Sequence, residues 1–366
     1  MDADDERLIK VDDALETLQQ LAKHHRQQLN IPFIAITGSN GKTTTKELVH
    51  AVLSSHYKTY TTQGNLNNHI GVPITILNIR DGADFAVIEM GANHPKEIAA
   101  YCTYTLPTHG IITNCGKAHL EGFGNEEGVR KAKGELFDFL RINKGTVFIY
   151  NDYDYLKAMS TGIENIFSYG TTNADVVGNV KTNNPFLEIS ISKGLNIHTI
   201  KTKLVGEYNL PNILCAVAVG KYFNVPEEKI KAAIENYMPS NSRSQMIEMG
   251  NNKIILDAYN ANPSSMKLAI ENFAKLSADN KILLLGAMME LGNESIKEHE
   301  ALIELIKKYS WKQVVLVGGD FKNVKHPFLY FDRSDEAREW FTQQHFENTF
   351  ILIKGSRSMM MEKIMM

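Results

Sequence analysis

The alternation of short apolar segments with helical ones constrains the fold of this chain more than any other feature. Residues 31–37 (IPFIAIT) are typical of a buried strand, and similar runs occur at 84–90, 109–114 and 145–151. Helical segments lie between these runs. This alternation predicts a mainly parallel sheet that is covered by helices on both faces.

A second alternating series begins after Pro239, which indicates a domain boundary near residue 239. Its predicted strands and helices lie at 253–257, 281–285, 313–317 and 350–353, and at 264–276, 295–309 and 334–344, respectively. The 366 residues suffice for two or three domains, because domains of about 100–200 residues are usual. The fold class predicted from these patterns is α/β.

Two segments depart from this alternation. Residues 174–206 contain short β runs without helices between them, which predicts an antiparallel appendage closed by a helix over residues 210–222. Residues 2–29 are charged and carry apolar residues at helical spacing, which predicts one helix with a buried stripe. The stripe would consist of Leu15, Leu18, Leu21 and Ala22.

Composition excludes several classes of function. The formal net charge is −3, so no general basic surface is expected to attract nucleic acid or an acidic membrane. The chain has no run of 18 apolar residues, and its acidic start does not resemble a secretory signal. Cys102, Cys115 and Cys215 are far apart and odd in number, which is typical of reduced thiols. We expect a cytoplasmic, monomeric protein without a membrane span or a nucleic-acid partner.

The strongest local motif lies at the end of the first predicted strand. The sequence from Thr37 to Thr44 reads TGSNGKTT, and a helix is predicted to follow. Backbone N–H groups, the helix dipole and the Lys42 ammonium would converge there on one anion site. The Thr43 hydroxyl would bind Mg²⁺. The residues predicted to surround the nucleotide phosphates are Gly38, Ser39, Asn40, Gly41, Lys42, Thr43 and Thr44.

This phosphate loop is a shortened form. The usual pattern has a glycine five residues before Gly41, where this chain has Ile36. A chance Gly-Lys-Thr turn is the alternative, but the strand before the loop and the helix after it favour a nucleotide site. The loop alone does not specify a reaction.

Two further side chains are candidates for a metal site at the same sheet edge. Glu89 ends the strand-like run DFAVIEM, and His119 follows the run at 109–114. Ligands bind at the carboxyl ends of strands in open parallel sheets, and Mg²⁺ prefers oxygen ligands. A buried ion pair for Glu89 and a structural role for His119 are the alternatives.

Lys133 occupies an unusual position for a lysine. In the predicted helix EEGVRKAKGELFDFL it falls on the apolar face. Burial favours the neutral amine, which is the form that reacts with carbon dioxide to give a carbamate able to bind metal. A salt-bridged or snorkelling lysine is the alternative. That face also carries Val129, Ala132, Leu136 and Leu140.

Eight motifs occur in one order along the chain. They are TGSNGKTTTKEL (37–48), GNLNNHIGVP (64–73), IEMGANHPKEI (88–98), GKAHLEGFG (116–124), GEYNLPN (206–212), NSRSQ (241–245), DAYNANPSSM (257–266) and KGSR (354–357). Together they closely resemble the motifs of the Mur ligases, and the resemblance covers about residues 8–366.

The resemblance implies a three-domain organisation. Residues 1–30 would be the remnant of an N-terminal UDP-binding domain with its linker helix. Residues 31–238 would form a central P-loop ATPase domain with a mainly parallel sheet, and residues 239–366 a Rossmann-like ligase domain.

The resemblance also implies an ATP-dependent, ADP-forming amide synthesis. The substrates would be a UDP-N-acetylmuramoyl-tripeptide and D-alanyl-D-alanine. ATP, two Mg²⁺ ions and a carbamylated lysine would be required. An alternative hypothesis is another ligase of the superfamily, such as a folylpolyglutamate synthetase, and a phosphate-loop kinase or motor is a more distant one.

Residue roles carried over by resemblance fall into three sets. Metal would be held by Thr43, Glu89, His119 and carbamylated Lys133, and the catalytic set would be Lys42, Glu89, His119 and Lys133. ATP would also contact Asn209, Asn212, Arg243 and Asp257. The peptide substrates would contact Asn67, Asn68, Lys354, Ser356 and Arg357.

Two departures from the family pattern stand out. Only about thirty residues precede the phosphate-loop strand, so the chain is expected to be truncated at its start, which could leave an ATP-binding remnant with impaired turnover. In the segment LGAMMELG (285–292), Ala287 stands where an aspartate is often found, which questions a role for that side chain.

Overall fold

The computed structural model of the chain describes residues 9–240 and 242–366. The strands in these residues are β1 (Phe33–Thr37), β2 (Thr59–Thr61), β3 (Phe85–Glu89), β4 (His109–Ile112), β5 (Thr146–Tyr150), β6 (Asn165–Gly170), β7 (Val176–Asn183), β8 (Phe186–Lys193), β9 (Thr199–Val205), β10 (Gln245–Met249), β11 (Asn252–Asp257), β12 (Lys281–Gly286), β13 (Gln313–Val317), β14 (Leu329–Phe331) and β15 (Phe350–Lys354).

The α-helices of the described residues are α1 (Ala14–Gln28), α2 (Lys42–Ser54), α3 (Gly71–Leu77), α4 (Glu97–Thr105), α5 (Leu120–Phe123), α6 (Glu126–Ile142), α7 (Asp154–Met159), α8 (Leu210–Tyr222), α9 (Glu227–Asn236), α10 (Pro263–Lys275), α11 (Ser295–Ile306) and α12 (Ser334–Thr342). Short 3₁₀ helices occur at Glu207–Asn209, Gly292–Glu294, Gly319–Asn323, Arg357–Met359 and Met361–Met365. Within the described ranges, no helix combines the length and apolar character needed to cross a lipid bilayer.

A nine-stranded sheet organises the part of the chain before residue 240, called here the large-sheet part. Its strand order is β2-β3-β1-β4-β5-β6-β7-β8-β9. The pairs from β2 to β7 are parallel, and β8 and β9 continue the sheet antiparallel. The strands predicted as a separate appendage therefore extend the main sheet. The connecting strand is β6, which the sequence did not predict.

A six-stranded sheet organises the part after residue 241, called here the small-sheet part. Its order is β10-β11-β15-β12-β13-β14, and all its pairs are parallel except that of β10 with β11. The predicted strands correspond to β11, β12, β13 and β15. The edge strands β10 and β14 were missed because they are only partly buried and lack a continuous apolar run. These two sheets with their helices confirm the predicted α/β class.

Complete burial explains why the central strands could be predicted from sequence. Every residue of β1, β3 and β5 is buried, so these strands are apolar on both faces, as expected when helices cover a parallel sheet. Helix α6 packs its predicted apolar face inward as well, and Lys133 lies in that face with 1% of its surface exposed.

The predicted buried stripe of α1 is wrong for two of its four residues. Leu15 and Leu21 are 37% and 53% exposed, whereas Ala22 is fully buried. A charged side chain of the helix is buried as well. Arg26 is 7% exposed, and its guanidinium lies 3.7 Å from the ring centroid of Phe33.

The Arg26 guanidinium joins α1 to the end of α4. Its Nε donates to the carbonyl of Thr105 at 2.9 Å, and Nη2 donates to that of Leu106 at 3.1 Å. Nη1 donates to the carbonyl of Leu29 at 2.6 Å. A charge can remain buried here because three carbonyl oxygens replace the water that it loses.

Replacing this guanidinium should destabilise the protein. We expect Arg26→Ala to lower the free energy of unfolding by about 3 kcal/mol, because two of its hydrogen bonds are buried and their carbonyls lose their charged donor. Denaturant unfolding monitored by circular dichroism measures this. Lys23→Ala, on the exposed face of α1, is the control and should change stability by less than about 0.5 kcal/mol. Equal stability of the two variants would contradict a tethering role for Arg26.

Candidate active site

Two glycines give the loop between β1 and α2 its shape. Gly38 has φ +142°, and a Cβ there would lie 2.0 Å from Oγ1 of Thr113. Gly41 has φ +79°, and a Cβ there would lie 2.6 Å from Oδ1 of Asn212. Both positions combine a backbone conformation that disfavours side chains with a lack of space, so the loop requires glycine at each.

Helix α2 begins directly after this loop, so its free N–H groups face the loop. Nζ of Lys42 folds back and donates to the carbonyls of Gly38 at 2.7 Å and Ser39 at 3.2 Å. Burial lowers the pKa of Lys42, and the nearby carboxylate of Glu89 opposes that shift. The loop thus combines a helix N-terminus with a poorly solvated amine, which suits it to bind phosphate.

Glu89 has the character of an unsatisfied metal ligand. Its side chain ends β3 and is 1% exposed. Oε1 accepts hydrogen bonds from Thr43 Oγ1 at 3.1 Å and from Asn67 Nδ2 at 2.7 Å. Oε2 is buried and has no hydrogen-bond partner among the described residues. A buried carboxylate oxygen is costly to leave unpaired, so this atom fits a cation ligand.

Asn67 and Asn68 lie on the segment that approaches Glu89 from the side of β2. Asn68 has a second local role, because its Oδ1 accepts from the backbone N–H groups of Ile70 and Gly71 where α3 begins. Hydrogen bonds of Asn67 and Asn68 therefore hold this segment in place, and both residues line the cleft.

His119 lines the same cleft as the loop between β1 and α2 and has φ +51°. Its Nδ1 is 2.5 Å from Oε2 of Glu290, a residue of the small-sheet part. That contact with His119 is the largest of the effects that lower the pKa of Glu290.

Lys133 lies behind the cleft wall. Its Nζ donates to the carbonyl of Ala92 at 3.0 Å and lies 5.0 Å from the ring centroid of Phe123. Burial lowers the pKa of Lys133 to about 7, and the charge of Lys42 adds to that shift. Near neutral pH a substantial fraction of this amine is therefore uncharged.

A cleft of about 920 Å³ lies between the two parts of the chain. The small-sheet part contributes Arg243, whose guanidinium stacks 3.5 Å from the ring centroid of Tyr259. It also contributes Lys354, whose Nζ donates to Asp257 Oδ2 at 2.6 Å. A basic and aromatic wall therefore faces the phosphate loop.

Direct contacts hold the two sides together. Asn262 Nδ2 donates to Oδ1 of Asn40 on the phosphate loop at 2.8 Å. Lys117 Nζ lies 2.6 Å from Glu298 Oε1, which is 7% exposed as a residue. The small-sheet part therefore touches the loop between β1 and α2 itself.

The structure brings most of the sequence-predicted residues into this cleft. Those lining it are Ser39, Asn40, Gly41, Lys42, Thr43, Thr44, Asn67, Asn68, Glu89, His119, Asn209, Asn212, Arg243, Asp257 and Lys354. Asn209 and Asn212 also support the loop, since Thr45 Oγ1 donates to Asn212 Oδ1 and Asn212 Nδ2 donates to Asn209 Oδ1.

Four predicted residues are not in the cleft lining. Gly38 is tucked against Thr113, and Lys133 lies behind the wall. Ser356 is buried, and its Oγ accepts from the Met289 N–H at 3.0 Å. Arg357 pairs with Glu362 at 3.0 Å.

Sequence reasoning missed Glu290 as a site residue. It lies within LGAMMELG (285–292), a motif considered only because Ala287 stands where an aspartate is often found. An acidic residue just after a strand of the second series was the available signal. Its partner could not be identified without the arrangement of the two sheets.

Comparison with known proteins finds relatives along nearly the whole chain. Residues 36–220 match the model of the Mur ligase middle domain, and residues 242–357 match that of the Mur ligase, glutamate ligase domain. The chain is 32% identical to the UDP-N-acetylmuramoyl-tripeptide–D-alanyl-D-alanine ligase of Bacillus subtilis, over 98% of this chain and 80% of the relative. It is 34% identical to the Escherichia coli protein of the same name, over 100% and 82%.

Solved structures agree with these relatives. The crystal structure of MurF from Acinetobacter baumannii superposes with a TM-score of 0.88 at 29% identity, covering 98% of this chain and 81% of that one. MurF from Thermotoga maritima, solved in complex with ADP, has the same fold, with a TM-score of 0.89 at 24% identity over 100% and 86% of the chains.

A side chain at position 41 should distort the phosphate loop. We expect Gly41→Ala to weaken ADP binding at least about tenfold, which corresponds to about 1.4 kcal/mol, because its Cβ would collide with Asn212. Isothermal titration calorimetry measures the affinity. Gly250→Ala is the matched control and should bind ADP as the parent does, since Gly250 also has positive φ (+61°) but a Cβ there would meet no atom within 4 Å. Unchanged affinity in Gly41→Ala would show that the loop tolerates a side chain there.

Proposed function

The chain belongs to the Mur ligase family, and from that membership we propose that it joins D-alanyl-D-alanine to a UDP-N-acetylmuramoyl-tripeptide in the synthesis of a peptidoglycan precursor. The reaction is an amide ligation that consumes ATP and forms ADP. The observation that carries the proposal is the cleft, in which a phosphate loop and a buried carboxylate face Arg243 and Lys354 of the other sheet.

A carboxylate is a poor electrophile, so the tripeptide must be activated first. A carboxylate oxygen attacks the γ-phosphorus of ATP, an O–P bond forms, and ADP leaves. The dipeptide amine then attacks the carbonyl carbon of this acyl phosphate. The resulting tetrahedral species expels phosphate, and the amine loses a proton. The N-terminus of α2 and the Lys42 ammonium stabilise the charge on the phosphoryl group as it transfers.

The residues at the end of β3 fit Mg²⁺. Glu89 offers a buried oxygen without a partner, and the Thr43 hydroxyl lies beside it. Bound there, Mg²⁺ would neutralise phosphate charge and favour the approach of two anions. In the described residues, no three or more His, Cys, Asp and Glu side chains gather to hold a metal. For a second ion we propose the ligand set that the family pattern implies, which is His119, Glu89 and a modified Lys133.

Lys133 is suited to that modification. Its amine is 1% exposed and is neutral over part of the physiological range, because burial lowers its pKa to about 7. The neutral nitrogen attacks the carbon of CO₂, an N–C bond forms, and one proton is released. The product is a carbamate anion in place of a cation, so it would relieve the repulsion between Lys133 and Lys42.

The other assignments follow from position. Asn209, Asn212, Arg243 and Asp257 would contact ATP, and Asn67, Asn68 and Lys354 would contact the peptide substrates. We also propose substrate contacts for Ser356 and Arg357, since they adjoin Lys354 in the chain.

We assign residues 31–238 to an ATP-binding domain and 239–366 to a ligase domain, with one sheet in each. We also propose a cytoplasmic location, because the reaction uses ATP and the three cysteines are unpaired.

The activity can be tested directly by phosphate release. With ATP, Mg²⁺ and UDP-N-acetylmuramoyl-tripeptide, release should occur only after D-alanyl-D-alanine is added, and mass spectrometry should detect the joined product. Lys42→Ala should lower the rate at least about a hundredfold, because the loop loses its cation. Lys131→Ala, exposed on α6, is the control and should retain activity.

Other outcomes of that assay point to other functions. Release that is indifferent to the dipeptide would contradict the ligase. ATP binding without measurable binding of the UDP substrate would favour an ATP-binding protein with impaired turnover. Ligation of glutamate to folate would favour a folylpolyglutamate synthetase.

The carbamate can be tested through its pH dependence. Enzyme depleted of CO₂ should regain activity faster as pH rises from about 6 to about 8 at constant dissolved CO₂. The neutral, reactive amine predominates above the pKa of Lys133, which is about 7, and is lost below it. Labelled ¹³CO₂ should give a carbamate carbon signal in the NMR spectrum.

Lys133→Ala should lack that signal and lose turnover about a hundredfold, with partial rescue by small carboxylates. Lys131→Ala, on the opposite face of α6, should keep both the signal and the activity. Full activity of Lys133→Ala without any added carboxylate would remove Lys133 from the metal site.

A further inference from the structure

Glu290 and His119 meet across the boundary between the two parts of the chain. Oε2 of Glu290 lies 2.5 Å from Nδ1 of His119, and His119 is the less exposed partner, with 18% of its side chain accessible against 49% for Glu290. Nδ1 is buried, and the contact is a close charge approach whose angle is not that of a hydrogen bond. A second contact joins the same two segments, because the backbone N–H of Glu121 donates to the carbonyl of Glu290 at 3.2 Å.

The loop that carries Glu290 is braced on its own side. The Met288 N–H donates to Nε2 of His299, a fully buried residue, at 3.2 Å. The Met289 N–H donates to Oγ of Ser356 at 3.0 Å. Because the two preceding N–H groups are both anchored, the carboxylate of Glu290 is presented from a fixed backbone.

Stability does not explain this arrangement well. Ion pairs with a half-exposed partner contribute about 0–1 kcal/mol, so the contact adds little to the association of the two parts. Its effect on His119 is more specific. A carboxylate beside Nδ1 favours the tautomer with its proton on Nδ1, which leaves the lone pair on Nε2. Among the described residues, no hydrogen bond to Nε2 of His119 is present, and the ring lines the cleft.

We propose that Glu290 is a positioning residue that the small-sheet part supplies to His119 when the two parts meet. Its carboxylate holds the imidazole with Nε2 toward the cleft, where that nitrogen can bind a divalent cation. The site is therefore complete only in the arrangement in which Glu290 reaches His119. This inference rests on the proposed function, since it assigns His119 to the cation.

The probe is Mn²⁺, titrated by electron paramagnetic resonance into enzyme saturated with a non-hydrolysable ATP analogue. Removing a carboxylate that orients a metal-binding histidine weakens metal affinity about 10–100-fold. We expect Glu290→Ala to lower the Mn²⁺ affinity of the site that includes His119 by about 10–100-fold. Binding of the ATP analogue without metal should stay unchanged. Glu290→Gln should recover part of the affinity, because its amide oxygen keeps a partial negative charge beside Nδ1.

Glu298→Gln is the matched control for association of the two parts. It alters the Lys117–Glu298 contact across the same boundary without touching His119. We expect its Mn²⁺ affinity to stay within about threefold of the parent. Equal weakening in Glu298→Gln and Glu290→Ala would overturn the inference, since a general effect on association would then account for both.

A double-mutant cycle with His119→Ala separates a specific effect from a structural one. If Glu290 acts through His119, Glu290→Ala should have little further effect on Mn²⁺ affinity once His119 is gone. Additive effects would overturn the inference. The activity of the parent enzyme separates the proposed function from the role of Glu290. If the parent lacks ligase activity, the proposed function fails. If the parent is a ligase and Glu290→Ala leaves its Mn²⁺ affinity unaltered, only the role of Glu290 is refuted.

Discussion

Charge held out of water at the carboxyl edge of the large sheet is the constraint on which this site depends. Glu89 and Lys133 are each 1% exposed, and neither has a formal ion-pair partner in the described residues. Such groups are expensive to bury alone, so their environment favours states that neutralise them. A cation at Glu89 and a carbamate at Lys133 would do so. The cost of burying Glu89 without a partner would therefore favour a metal ion beside it.

Both sheets contribute side chains to the cleft. The large sheet supplies the phosphate loop, Glu89 and His119, and the small sheet supplies Arg243, Asp257 and Lys354. Contact between Asn262 and Asn40 joins the second sheet to the nucleotide loop. A reaction that combines phosphoryl transfer with attack by a second substrate suits a cleft of this kind, because each side can position one partner and their approach can exclude water.

Prediction from sequence was most successful where burial leaves a clear pattern. The central strands and α6 were predicted correctly, since continuous apolar runs and helical spacing follow from complete coverage on one or both faces. The edge strands β2, β10 and β14 gave no such signal because they are partly exposed. The helix α1 was predicted, but its buried stripe was wrong for Leu15 and Leu21, which face solvent, while Arg26, of a type normally found at the surface, is buried.

The order of residues along the chain was enough to establish the α/β class and the family. It also predicted a phosphate loop, because glycines, a lysine and a threonine at fixed spacing have few other uses. It also placed Lys133 on a buried face, since helical periodicity is a local property. The folded arrangement was needed to show that Glu290 meets His119, that Asn262 meets Asn40, and that Ser356 braces a loop instead of lining the cleft. These contacts join residues 67 or more positions apart, and their geometry depends on how the elements pack, which no local pattern encodes.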